Sequence, residues 1–461
     1  MLPDLALLEI FHFYMNDEEK ERVEAWRPLV HVCRKWRQVV FESPRRLDLW
    51  LYCGAGTPVK EKLDIWPHLP IAIWGYGVVR MRGVDNIIAA LGHRDRICQL
   101  GLENISSSRF EKVLALMQQP FPELTYLKLW SHDKEVPVIP TSFLGGSAPR
   151  LRTFDLEGIP FPGLPKLLFS ATHLVRLELY RIPHSGYIAP DAMVAALSVL
   201  TRLETLVIRF ISPYDSPLGV NSTDWKSRRP PLPTRTLLPV LTKLDFVGVD
   251  KYLEDLVSRI DVPQLNDMEI TVFHQLIFDT LQLTHFISRT PKFKPYDEAS
   301  VIFSDWDVSV TLPRIFDRTK DITISLGVEG LSTRSDWQVS SLVQVCRSFF
   351  PQTFIPAVEH LDILDDTCLE LRCLDYIESS QWLDLFRPFT AVKYLYITRY
   401  IAPHIARALR ELVGERVTEV FPALQNLLLD DTEPVRETIE PFIAARQLAG
   451  RPVAVCICVG S

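Results

Sequence analysis

The sequence predicts an α/β solenoid, a ladder of parallel strands with outer helices. Three observations carry that expectation. An L-x-x-L-x-L frame stands in Phe121-Pro122-Glu123-Leu124-Thr125-Tyr126-Leu127-Lys128-Leu129. It returns at Ile97/Leu100/Leu102, Leu151/Phe154/Leu156, Leu174/Leu177/Leu179, Leu203/Leu206/Ile208, Leu241/Leu244/Phe246, Leu265/Met268/Ile270, Val358/Leu361/Ile363, Val392/Leu395/Ile397 and Leu424/Leu427/Leu429. The frames start 23 to 38 residues apart, with one long gap between 265 and 358. A proline two residues before the first apolar position recurs at Pro122, Pro149, Pro239, Pro263, Pro356 and Pro422. Such a proline suits a strand's entry, where no N–H is needed. Leu127 and Leu129 lie two apart, so on a strand they share one face, and Tyr126 and Lys128 share the other. A single unit of this kind cannot bury its own apolar face, so the units must stack.

Bulk properties exclude several classes. A chain of 461 residues would ordinarily form about three domains, but a solenoid grows by adding units. With 47% apolar and 23% charged residues the composition is that of an ordinary globular chain. The net charge of −7 gives no electrostatic reason to bind nucleic acid. No apolar run is long enough for a membrane span, so no membrane partner is expected. The apolar start is interrupted by Asp4 and Glu9 and lacks a basic leader, unlike a secretory signal. The eight cysteines form no C-x-x-C pair, and Cys33, Cys346, Cys456 and Cys458 lie in apolar patterns. Reduced, buried thiols of the cytoplasm or nucleus are expected.

In chain order, residues 2–14 predict a helix whose first position is Pro3. Leu5, Leu8 and Phe11 make one stripe, and Leu7, Ile10 and Tyr14 a second. Together they cover more of the helix than one small core requires. Residues 16–24 are charged and read as a loop, and 29–40 as a second helix with Val32, Cys33, Trp36, Val39 and Val40 on one face. The array begins near 47, with a strand there, a helix at 58–66, a strand at 69–74 and a helix around Ile87 and Leu91. Ser108 and Glu111 have the spacing of a capping box. Residues 212–236 form an inserted loop. Its Arg228-Arg229-Pro230-Pro231-Leu232-Pro233 fits both an SH3-type ligand and a merely proline-stiffened insertion. Asp250 opens a helix through Leu253, Leu256, Val257 and Ile260. Residues 275–335 break the rhythm, with a helix to about 289. Three short strands follow at Val301/Phe303, Val308/Val310 and Ile322/Ile324, which either thicken the array or form a small added sheet. Helices follow from Asp336, around Ile405 and Leu409, and around Val435 and Phe442. A last strand at 453–457 closes the ladder.

Leu2-Pro3, Leu8-Glu9-Ile10-Phe11 and Val32-Cys33-Arg34-Lys35-Trp36-Arg37 resemble the two best-marked parts of an F-box, in the family's order. The family's leucine-rich middle helix is replaced by the charged loop and Trp26-Arg27-Pro28. With Ser43-Pro44-Arg45-Arg46-Leu47 next and degenerate leucine-rich repeats behind, the chain looks like the F-box proteins of mushroom-forming fungi. The resemblance implies a small helical F-box domain at 1–44 and an irregular leucine-rich-repeat solenoid at 45–461, atypical at 275–335. It implies a substrate-recognition adaptor of an SCF-type ubiquitin ligase. The F-box would bind the Skp-type linker through Leu2, Pro3, Leu8, Ile10 and Phe11, with Val32, Cys33 and Trp36 behind or beside them. The array would bind a protein substrate. Regular leucine-rich repeats carry Asn or Cys eight residues after the first leucine. Here Ile105, Ile159, Ile182, Ile211, Val249 and Phe273 stand there, so the turns must be satisfied otherwise.

No enzyme is expected, because no phosphate loop, G-x-S-x-G or H-E-x-x-H is present, and Gly75-Tyr76-Gly77 lacks a third glycine. Asp365-Asp366 and Asp430-Asp431 are carboxylate pairs with the chemistry to hold a cation, but both follow repeat strands, and an exposed strand-end turn explains them more simply. Cys456 and Cys458 share a strand face without a histidine partner, and neither a metal nor another cofactor is expected. An alternative function is a scaffold outside any ligase, with the first forty residues capping the solenoid. For a substrate, two aromatic patches stand out on the strand face opposite the leucines. One joins Tyr126, Lys128 and Trp130 to Arg176, Tyr180 and Arg209. The other joins Tyr394 and Tyr396 to Arg399 and Tyr400. The second lies farther along the chain from the F-box-like start and is preferred for that reason.

Overall fold

The computed structural model describes the chain except residues 1, 16–25, 43–48, 54–57, 66–67, 69, 76–80, 105, 134–135, 213–234, 274–277, 279, 305–306, 314–321, 330–335, 366–376, 431–432 and 459–461. The charged loop at 16–24, the proline-rich Arg228–Pro233 and the second members of both aspartate pairs lie outside the described residues, as do Ser43–Leu47, Ile105 and the Tyr76-Gly77 dipeptide. The chain divides into two compact units, Met1–Ile211 and Ser212–Ser461.

The first unit opens with helices α1 (Asp4–Met15), α2 (Trp26–Val32) and α3 (Arg34–Glu42). The expected single helix over 29–40 is thus two helices broken at Cys33. Pro28 falls in the first turn of α2, where a missing N–H costs nothing. The Cys33 Sγ accepts the Trp36 N–H at 3.5 Å, and its carbonyl accepts that of Arg37 at 3.1 Å, so the break is itself the start of α3. Seven strands follow: β1 (Leu49–Tyr52), β2 (Ile71–Gly75), β3 (Ile97–Glu103), β4 (Tyr126–Trp130), β5 (Thr153–Glu157), β6 (Arg176–Ile182) and β7 (Thr205–Phe210). Each pairs with the next in parallel. Helices α4 (Val59–Ile65), α5 (Met81–Leu91), α6 (Ser107–Leu116), α7 (Leu164–Leu168) and α8 (Pro190–Leu197) lie between them in sequence.

The expected frame is the core. Leu100, Leu127, Phe154, Leu177 and Leu206 stand opposite one another on successive strands, and each is fully buried. Leu102, Leu129, Leu156, Leu179 and Ile208 form a second buried column, and Leu124, Leu151, Leu174 and Leu203 fill the strand entries.

The turns without asparagine are satisfied by backbone. At the entries of β5, β6 and β7 one carbonyl takes two successive N–H groups from the next repeat. Arg152 and Thr153 donate to Thr125 at 2.7 and 3.1 Å, Val175 and Arg176 to Arg152 at 2.7 and 2.9 Å, and Glu204 and Thr205 to Val175 at 2.8 and 3.1 Å. At the strand exits Asn104 donates to Trp130, Ser131 to Glu157 and Gly158 to Tyr180. Gly158 has φ +70°, and a Cβ there would lie 2.2 Å from the Ser131 carbonyl oxygen, so this exit admits no side chain. Ile159 and Ile182, at positions that asparagine would occupy, are buried instead.

Helix α6 corrects another expectation. It begins at Ser107, and no Ser108/Glu111 box forms. The Asp133 carboxylate, from the following repeat, accepts both the Ser107 N–H at 2.7 Å and its hydroxyl at 2.8 Å.

The second unit carries β8 (Thr236–Leu237), β9 (Lys243–Gly248), α9 (Asp250–Ser258), β10 (Ile260–Asp261), β11 (Asp267–Phe273) and α10 (Leu281–Arg289). Next come β12 (Glu298–Phe303), β13 (Asp307–Leu312), β14 (Thr323–Glu329), α11 (Asp336–Gln344) and β15 (His360–Asp365). It ends with α12 (Ser379–Phe386), β16 (Tyr394–Ile397), α13 (Ala402–Arg410), β17 (Asn426–Asp430), α14 (Glu433–Leu448) and β18 (Ala454–Cys458). Ile260, expected on α9, lies on β10, which pairs with β8 in a separate two-stranded sheet. Asp250 does open α9 as its first residue.

The segment 275–335 is neither a thickening of the usual repeat nor a separate sheet. Its three strands enter the ladder in the order β11-β14-β13-β12-β15. β14 runs parallel to β11 and β12 parallel to β15, while β13 is antiparallel to both its neighbours. α11 packs on β13 and β14 and continues into a π-helical turn at Val345–Phe349. Beyond it Leu361, Leu395, Leu427 and Val455 stand in one register column.

In this unit arginines also serve the turns. Arg446 is fully buried and donates to the carbonyls of Val417, Phe421 and Leu424 at 3.5, 3.4 and 2.9 Å. Arg289 reaches the carbonyls of Val257 and Ile260 and the Asp261 carboxylate. Of the thiols, Cys346 is buried as expected, but Cys33 and Cys456 are exposed. Cys33 sits at the helix break, and Cys456 faces away from the core on β18, the last strand of its sheet.

The register predicts a stability contrast. Leu177→Ala should cost roughly 2–5 kcal/mol, because it opens a cavity in a fully buried column. Glu178→Ala, one residue on and half-exposed, should change stability by no more than about 0.5 kcal/mol. Denaturant titration of both variants checks this, and equal losses would mean the strand faces are misassigned.

Candidate functional site

Three surfaces hold the residues expected to bind partners. The first is the N-terminal helix group. Leu7, Leu8 and Phe11 of α1 pack inward with Leu29, Val30, Val39 and Val40. Phe11 meets the half-buried Trp36 ring at 4.8 Å. Lys35 ties α1 to α3 by donating to the Leu2 carbonyl at 3.0 Å and pairing with Asp4 at 3.0 Å. Arg37 donates to the Val30 carbonyl at 3.0 Å and so closes the end of α2.

This core divides the eight expected linker-binding residues. Leu8 and Phe11 are core, and Trp36 packs on Phe11. Leu2, Pro3, Ile10, Val32 and Cys33 are exposed. Two further side chains join them, Leu5 at 62% and Phe13 at 83% exposure. At 3.6 residues per turn Leu5 and Phe13 fall within about 80° of each other, opposite Leu7, Leu8 and Phe11. Phe13 belongs to neither apolar stripe of the sequence, yet the same angular arithmetic places it on that face.

The second surface is the helix-free face of β1–β7. Tyr126, Lys128 and Trp130 alternate with the buried leucines of β4 and are half-exposed. The register sets Tyr126 two strands from Arg176, and Trp130 two strands from Tyr180. Arg209 lies over the Tyr180 ring at 5.8 Å. The patch expected from sequence is therefore assembled. It extends farther than expected, because Trp50 stacks on Trp74 at 5.9 Å with planes 7° apart, and Trp74 meets Tyr126 at 5.5 Å. Trp74 crosses β3 above Gly101, where a Cβ would lie 2.4 Å from the indole. Without a side chain at 101 the ring spans to β4.

Lys128 sits between Glu103 at 3.1 Å and Asp155 at 3.7 Å. Burial pushes the Asp155 carboxyl up to about 6, against the opposing pull of Lys128. The Lys128 ammonium is held above its usual range by its carboxylate partners, which outweigh its own burial. Lys128→Ala would strand two nearly buried carboxylates.

The third surface is on the second unit. Tyr394 stacks on His360 at 4.4 Å, and the Tyr396 hydroxyl donates to the Asp430 carboxylate at 3.3 Å. Arg399 and Tyr400 follow on an exposed turn. Tyr394 and Tyr396 alternate with buried Leu395 and Ile397 and so share one face of β16.

Among the described residues no group of three or more His, Cys, Asp or Glu side chains could hold a metal ion. Nor is any of their helices long and apolar enough to cross a membrane. No protein-family model matches the chain, and a search of curated proteins finds no match.

The Asp155 environment predicts a pH effect. A carboxyl whose pKa is near 6 in the fold and 3.8 as a free group binds more protons when folded. Its contribution is fully present below about pH 4 and is lost as pH rises through about 6, a change of at most about 3 kcal/mol. Asp155→Asn should therefore flatten the stability profile between pH 4 and 6. Parallel unfolding titrations of the two proteins check this, and superimposable profiles would show that the carboxyl is not desolvated.

Proposed function

We propose that the chain is a substrate-recognition adaptor of a Skp–cullin–F-box ubiquitin ligase, acting in the cytoplasm or nucleus. The observation that carries the reading is the N-terminal helix group. It follows a Leu-Pro start and keeps Leu5 and Phe13 largely exposed after its own core is filled. Large apolar side chains left outside a filled core mark an interface. In this reading α1–α3 are an F-box that docks on the Skp-type linker through Leu2, Pro3, Ile10 and Val32, with Leu5 and Phe13 added. Leu8, Phe11 and Trp36 support that surface from behind. The repeats hold a protein substrate, and catalysis belongs to other subunits of the ligase.

For the substrate, Tyr394, Tyr396, Arg399 and Tyr400 remain one candidate surface, and Tyr126, Trp130 and Tyr180 the other. A scaffold role outside a ligase is the second reading, in which α1–α3 serve only to cap the first strands.

A Leu2→Ala/Pro3→Ala/Phe13→Ala chain separates the two readings. Interface anchors are each worth about 2 kcal/mol or more, so the triple variant should lose a Skp-type linker in co-purification. It should keep the circular dichroism and melting profile of the parent, since none of the three side chains is core. Linker retention by the folded variant would remove the F-box assignment. Capture of the tested linker by neither protein would favour the scaffold.

A further inference from the structure

We infer that the helix-free face of the first unit is a docking platform for an arginine-bearing segment of a partner protein. The inference concerns what the repeats bind and does not depend on whether a linker binds α1–α3. The platform is the ring row Trp50, Trp74 and Tyr126, which crosses β1 to β4 and is half-exposed along its length. The row is made possible by Gly101, since any side chain there would displace the Trp74 ring.

Charge at the Tyr126 end selects the occupant. Glu103 on β3 and Asp155 on β5 flank β4, and Glu178 on β6 stands opposite Asp155 in register. Lys128 bonds the first two; with Arg176 and Arg209 it faces these three carboxylates and Glu157, so one negative charge is left in excess beside the rings. A cation that lies flat on indole and phenol faces and also reaches a carboxylate meets both features. A guanidinium is planar and weakly hydrated, and it offers a fork of donors to a carboxylate, whereas an ammonium is a compact, strongly hydrated charge. The same face already holds one guanidinium in this way, with Arg209 over Tyr180 on the adjoining strands β7 and β6.

The test titrates fluorescein-labelled octa-arginine and octa-lysine, capped at both ends, against the full chain and reads polarisation. The chain's net charge of −7 attracts both peptides alike, so the difference between them carries the information. Octa-arginine should bind at least tenfold more tightly. Trp50→Ala, Trp74→Ala and Glu178→Gln should each lower its affinity at least fivefold toward that of octa-lysine. Tyr394→Ala, on the second unit, should leave it unchanged. Trp50→Ala and Glu178→Gln remain informative should Trp74→Ala fail to fold. Equal binding of the two peptides, or full octa-arginine affinity in folded Trp50→Ala and Glu178→Gln chains, would overturn the inference. So would a loss confined to Tyr394→Ala. Linker co-purification on the same variants separates this result from the ligase reading, since none of them changes a residue of α1–α3.

Discussion

The entries of β5, β6, β7, β11, β16 and β17 each turn on one backbone carbonyl that receives two N–H groups from the next repeat. The series runs through Thr125, Arg152 and Val175, and resumes at Thr242, which takes Asn266 and Asp267, and at Glu359 and Lys393, which take Lys393/Tyr394 and Gln425/Asn426. A buried backbone donor left unpaired costs about as much as a lost hydrogen bond, so an entry lacking such a partner would open. The shared acceptor fixes where each strand begins relative to the last. That offset holds Leu127 opposite Phe154 and Leu395 opposite Leu427. Register in turn decides which side chains face the core, because a slip of one residue would exchange Leu127 with Lys128.

This explains how much of the fold was legible. Strand faces follow from spacing alone, so the frame leucines and the three strands of 275–335 could be read directly. Partnership between strands could not. Alternation says which way Val308 and Val310 point, and nothing in it says that β12 lies farther along the ladder than β14. The entry carbonyls are backbone and leave no mark in side-chain identity. The break at Cys33 was hidden for another reason, as the apolar periodicity of Val32, Cys33, Trp36, Val39 and Val40 runs across it. The capping of α6 was hidden because its donor groups answer to Asp133, 26 residues away.

The surfaces show the same division. Tyr126, Trp130, Tyr180, Tyr394 and Tyr396 could be placed because they belong to frames with clear registers. Trp50 and Trp74 could not, since β1 and β2 carry no full frame, and their stacking depends on a glycine one strand away. On α1 the sequence is apolar nearly all round, so periodicity alone ranks no face above another. Packing against α2 and α3 does that, by taking Leu7, Leu8 and Phe11 and leaving Leu5 and Phe13.

The reversal at β13 has a consequence for how such a chain can change in length. Between β11 and β15 the strands run with, against and again with the rest of the sheet. The addition is one ordinary strand plus a pair that cancels in direction. Parity is therefore preserved, and every repeat downstream points as it would if the pair were missing. Hairpins can be gained or lost at this point two strands at a time without turning any later helix to the wrong side of the sheet. A single strand added through a hairpin turn would invert all that follows. Length variation here is quantised in pairs, whereas elsewhere in the ladder it comes in whole strand-and-helix repeats.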